Sequence, residues 1–263
     1  MEKTKYLRTD FSRLFKKYPL YLAIVGVAVS FIFSLENYAF EKGMVNVNVM
    51  DTYMFAVEMS GKMIAYAFCA SAFATVFCED LENKYLRYSI GRGNLIKYVF
   101  SKTIVIYVSS IITMVLGTFL FVIYLRLQLP WTPYLEKPDM SGMYETLWGN
   151  GHFMAYIFVV ALQMGMLAGT LSLAASFVSI FITNKMLIML TPILLYQILM
   201  EFRGSGWANI MIFDPALFQF KSDIEYFLIV CGFSLVPSIF FVLGIYRAVS
   251  YTHLRAHETL SDL

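Results

Sequence analysis

Thr103–Leu125 reads TIVIYVSSIITMVLGTFLFVIYL, 23 residues without one charged side chain. About 20 mostly apolar residues cross the roughly 30 Å of hydrocarbon in a bilayer, so this stretch reads as a transmembrane helix. Five further apolar runs flank it in the chain: Leu20–Leu35, Thr52–Phe77, Phe153–Ile182, Met186–Met200 and Tyr226–Tyr246. Composition points the same way. Of 263 residues, 59% are hydrophobic and only 14% charged, with a mean hydropathy of +0.66, whereas soluble domains carry about 25% charged residues. That balance argues against a cytosolic enzyme, a disordered chain, a disulfide scaffold and a nucleic-acid-binding module. The expected fold class is all-α, a polytopic membrane protein with six transmembrane helices. Its three cysteines, Cys69, Cys78 and Cys231, lie in or beside apolar runs without CxxC spacing and read as buried thiols.

Residues 1–19 form a separate unit. Leu7, Phe11, Leu14, Phe15 and Tyr18 repeat with helical spacing, and basic residues fill much of the remaining surface. Such a helix is expected to lie in the membrane interface, with Pro19 breaking it before the first span. The six-span domain is expected over 20–248. With the N-terminus in the cytosol, six spans return the C-terminus there. Thirteen lysines and arginines then lie inside and five outside, as the positive-inside rule requires.

Within the spans, Glu58 and Lys62 stand four residues apart. They read as an ion pair along the helix near the outer surface or, alternatively, as part of a polar pathway. Gly165 and Gly169 form a GxxxG on a helix rich in Ala and Ser, which suits close packing inside the bundle or a dimer seam. Pro192 and Pro237 lie inside spans five and six and are expected to kink them. No metal-ligating cluster stands out: His152 sits at a loop end, and His253 and His257 lie in the tail.

The most polar internal segment is Glu79–Lys102, EDLENKYLRYSIGRGNLIKYVFSK. Glu79 and Asp80 open it, Arg87 and Arg92 occupy its middle, and Lys97, Tyr98 and Lys102 lead into the next span. A short helix slung between two long spans works as a handle that a soluble partner can grip. At these residues the chain resembles the permeases of type-2 ABC exporters, in which a span ends in an acidic residue, a short cytosolic helix and an arginine-bearing turn follow, and tyrosine and lysine open the next span. The family's usual small Gly-Thr step is replaced here by Asn83-Lys84. The resemblance also covers the interfacial helix and the layout with both termini inside. It implies the transmembrane subunit of an ATP-driven exporter in a bacterial cell membrane, paired with a second permease subunit and with cytosolic ABC ATPase subunits. Glu79, Asp80, Arg87, Arg92, Lys97 and Lys102 would then couple the chain to the ATPase. No GxxxxGK[ST] phosphate loop occurs, so ATP and Mg would reside on the partner and this chain would be no enzyme. A stand-alone channel, a secondary transporter and a small immunity or structural membrane protein are the alternatives.

Val249–Leu263, VSYTHLRAHETLSDL, departs abruptly in composition and is expected to end the helix near Arg247. Val249–Thr259 resembles translated sequencing-adapter DNA, so 249–263 reads as a non-native tail and His253, Arg255 and His257 carry no functional weight.

Overall fold

The computed structural model describes residues 6–42, 48–58, 61–83, 94–131, 142–202 and 210–261, the backbone alone at 36–42, 216 and 252–261. Every regular element among them is helical. The chain opens with α1 (Tyr6–Lys16), followed by α2 (Pro19–Lys42), α3 (Val49–Glu58), α4 (Gly61–Ser71) and α5 (Val76–Glu82). Then come α6 (Leu95–Arg126), a short α7 (Glu145–Gly149), α8 (Phe153–Val178), α9 (Lys185–Glu201) and α10 (Asp223–Ser261). Two 3-10 turns, Ile210–Phe213 and Pro215–Leu217, precede α10.

Among the described residues four helical stretches are long and apolar enough to cross a membrane: Gly61–Glu82, Leu95–Arg126, Phe153–Val178 and Asp223–Tyr251. Tyr6–Lys16 and Pro19–Leu35 form a fifth candidate, bent by 59° at the break between them. Proline suits that start, because its missing N–H lies where a helix has no internal acceptor to lose.

Val49–Glu58 is helical, capped where the Asp51 N–H donates to Asn48 Oδ1 at 2.9 Å, and Gly61–Glu82 is of membrane length among the described residues. The charge-free run follows Lys62 and reaches Cys78, and Glu58 precedes it. The expected fifth span is the 17-residue α9, about 26 Å long and at the short end of the range that crosses a bilayer. Pro192 and Pro237 lie inside α9 and α10, which continue through them. The last helix also runs past the expected stop at Arg247 to Ser261, since nothing after Arg247 is proline or glycine.

α6 and α8 share the largest interface, with α2, α4 and α10 around them. Gly165 and Gly169 make this approach possible. A methyl group at Gly165 would come within 3.0 Å of the Ile111 Cα, and one at Gly169 within 2.6 Å of the Tyr107 ring. The GxxxG thus faces α6 of its own chain. Gly169→Leu is expected to cost about 1–3 kcal/mol through this overpacking, read as a lower melting temperature in detergent, whereas exposed Gly149, with open space around it, should accept alanine without loss.

Buried hydroxyls stitch the same helices together. Tyr107 and Ser234 share a hydrogen bond of 2.6 Å, Thr170 meets both Ser234 and Ser238 at 3.1 Å, and Ser110 donates to Ser172 at 2.8 Å. In an apolar surround a hydroxyl gains from a partner, and these find theirs on neighbouring helices. The small-residue face of α8 is therefore occupied by packing against α6 and α10.

Candidate functional site

α6 has 32 residues and is about 48 Å long, well beyond the roughly 30 Å of hydrocarbon. Its first turns can therefore stand in the interface while the charge-free remainder fills the membrane. Asn94 starts the helix, its side-chain oxygen accepting from the Ile96 N–H at 2.9 Å and the Lys97 N–H at 3.4 Å. From there Tyr98, Ser101 and Lys102 turn inward, buried against α1 and α5.

α1 presents Asp10, Arg13 and Lys17 at positions i, i+3 and i+7, one side of the helix and its immediate continuation. The α1 face turned to the protein includes Leu14 and Asp10, both buried, whereas Leu7 and Phe15 remain exposed. The expectation of an apolar stripe in lipid opposite a solvated basic face is thus only half realised: part of the polar stripe docks on the bundle.

An alternating chain of charges results. Lys17 Nζ lies 2.7 Å from Glu79 Oε2, and Arg13 Nη2 lies 2.9 Å from the same oxygen. Arg13 Nη1 reaches Asp80 Oδ1 at 2.8 Å, and Lys102 Nζ reaches Asp80 Oδ2 at 2.8 Å and Asp10 Oδ1 at 3.3 Å. The Tyr98 hydroxyl donates to Asp80 Oδ2 at 2.7 Å, and Ser101 donates to Asp10 Oδ2 at 2.6 Å. Three cations thus meet three carboxylates. This balance matters because Asp80 and Lys102 have only 2% and 1% of their side chains exposed, and an unpaired charge so deeply buried costs several kcal/mol.

The floor beneath the cluster is apolar. Leu14, Phe77, Tyr98 and Val99 belong to one buried cluster, with the Tyr98 ring edge-on to Tyr6 and Phe77. Lys102 also sits 5.0 Å from the centre of the Tyr98 ring. Asp80 is therefore the hub of the site, held by one residue from α1 and two from α6.

The structure brings together Glu79, Asp80 and Lys102 from the sequence-derived set. Lys97 is exposed and takes no part in these contacts, because it stands about 100° round α6 from Tyr98 and about 140° from Lys102. Arg87 and Arg92 lie outside the described residues. Sequence reading passed over Asp10, Arg13, Lys17 and Ser101 as members of the site. One signal was present: Asp10 is the sole carboxylate in Tyr6–Lys16, aligned with Arg13 and Lys17.

At the far end of α4, Glu58, Lys62 and Asp214 line a cavity of about 20 Å³ with Tyr66 and Tyr196. A water needs about 10–15 Å³ by this measure, so the space can hold a water. Asp223 ties the same end of the fold together by accepting from the Tyr144 N–H at 2.8 Å and the Thr146 hydroxyl at 3.2 Å. Burial, and next the Asp223 carboxylate, hold the Tyr144 hydroxyl above its ordinary pKa.

No protein-family model, curated protein or solved structure matches this chain.

Proposed function

We propose that this chain is a transmembrane permease subunit of an ATP-driven exporter in a bacterial cell membrane, with six spans, both termini in the cytosol, a second permease subunit beside it and a separate ABC ATPase as its engine. One observation carries the reading. Asp80 is gripped from α1 by Arg13 and from α6 by Tyr98 and Lys102, so three helices are clamped at the point where the chain enters and leaves residues 84–93. A force applied to that segment would pass into Gly61–Glu82 and Leu95–Arg126 together, with the interfacial helix following. Neutral internal pairing suits such a clamp, because its charges hold one another.

Affinity purification of the full chain from its native membranes, solubilised in mild detergent, should bring down an ATP-hydrolysing subunit. Arg87→Glu combined with Arg92→Glu should reduce the ATPase activity of that complex at least about tenfold, since close like-charge contacts at an interface cost over 1 kcal/mol. Membrane insertion and melting temperature should stay unchanged. A chain that purifies alone yet conducts ions in liposomes would instead be a stand-alone channel.

A further inference from the structure

The small cavity at the end of α4 remote from the charge cluster has apolar walls, Val57, Met164 and Phe213 among them, yet Lys62, Tyr66 and Tyr196 line it too. Lys62 and Tyr66 are four residues apart on α4 and so share one face, one turn apart. The Tyr196 ring, from α9, stands 5.1 Å from the ring of Tyr66. Both tyrosines are buried, 2% and 4% exposed. Neither hydroxyl has a hydrogen-bond partner among the described residues, and the Lys62 ammonium makes no direct ion pair there. Buried tyrosines elsewhere in the fold are answered: Tyr226 donates to the Ile212 carbonyl at 2.8 Å and Tyr98 to Asp80 at 2.7 Å.

A buried hydroxyl that has given up water without gaining a partner is destabilising. Two of them on one space, beside an ammonium, call for an occupant. The volume of about 20 Å³ admits a water, and a buried water makes about three hydrogen bonds. Charge selects in the same direction. Lys62 repels a metal cation, whereas Glu58 and Asp214, which line the same space, repel an anion. A neutral molecule that both donates and accepts suits all three groups, since lysine only donates while a tyrosine hydroxyl does either. We propose that one ordered water occupies this cavity, accepting from Lys62 and joining the hydroxyls of Tyr66 and Tyr196. It links α4 to α9 at this end of the bundle, independently of any ATPase partner.

X-ray radiolysis of the full chain, purified in a neutral detergent and read by mass spectrometry, tests this. Hydroxyl radicals form from bound water as well as bulk water and oxidise the side chains beside it. Tyr66 and Tyr196 should be oxidised severalfold more than Tyr226, a fully buried tyrosine whose hydroxyl is satisfied by protein. Tyr66→Phe and Tyr196→Phe should each lower the melting temperature by about 2–4 °C. The double variant should lose less than the sum, because the first change already releases the water. Should the phenylalanine variants fail to fold, the oxidation pattern of the wild type decides. Oxidation of Tyr66 and Tyr196 no greater than that of Tyr226 would overturn the proposal. So would a phenylalanine variant that melts above the wild type, the sign expected when a hydroxyl is removed from a dry cavity. A melting temperature that rises when sodium replaces choline in the buffer would overturn it in favour of a metal cation.

Discussion

Asp80→Asn is expected to destabilise the purified protein by about 3–5 kcal/mol, the usual cost of removing one partner from a buried ion pair. The carboxylate accepts from Arg13, Lys102 and Tyr98 at 2.7–2.8 Å, and an amide offers neither the charge nor the second acceptor oxygen. Lys102, with 1% of its side chain exposed, would be left with Asp10 alone at 3.3 Å. The physical cause is specific, so a second variant separates it from general damage. Adding Lys102→Met to Asp80→Asn removes the stranded cation together with its missing partner, and the double variant should recover part of the loss. Thermal melting in detergent followed by circular dichroism measures both. A wild-type melting curve for Asp80→Asn would mean that the hub is not formed.

Arg13 supports the second large prediction. Its two terminal nitrogens reach different residues, Nη1 to Asp80 and Nη2 to Glu79, a fork that lysine's single ammonium cannot reproduce. Arg13→Ala should cost about 2 kcal/mol, in the range for hydrogen bonds to charged groups, and should free α1 from the bundle. Trypsin would then cut at Lys16 and Lys17 at least about tenfold faster than in the wild type, following the population of the released helix. Arg13→Lys should restore less than half of that protection. Lys17→Gln should have a smaller effect, because Lys17 is 42% exposed and surface ion pairs contribute little. Full protection in Arg13→Lys would show that a single charge, and not the fork, holds the helix.

The cluster also shows where a sequence stops informing on its own charges. Glu79, Asp80 and Lys102 belong together on sequence grounds because they bracket one polar segment. Lys97 belonged to the same reading, yet in three dimensions it faces away from them. Over five residues an α-helix turns through more than one full revolution, so neighbours in a basic run need not share a partner. Asp10 and Lys102 are 92 residues apart, and nothing in the local pattern of either names the other. The alternating apolar and basic spacing of α1 identified an amphipathic helix, but not which face would meet protein and which would meet lipid.

Glu58 and Lys62 teach the converse lesson. Their i, i+4 spacing suggested an ion pair near the outer surface or a polar pathway. They share a small cavity with Asp214, more than 150 positions further along the sequence. The second carboxylate enters only because the 3-10 turns before α10 fold back against that end of the bundle.

From the sequence alone came the helical class, the apolar runs and the position of the polar segment between two of them. Each follows from a one-dimensional rule, since lipid offers the backbone no partners and a helix must satisfy itself over a length set by the bilayer. The tertiary structure decided which span boundaries hold, which side of α1 is buried, and which cation answers which carboxylate. Those outcomes depend on the relative rotation and offset of helices, and a buried charge takes its partner by distance in space, whatever the separation along the chain.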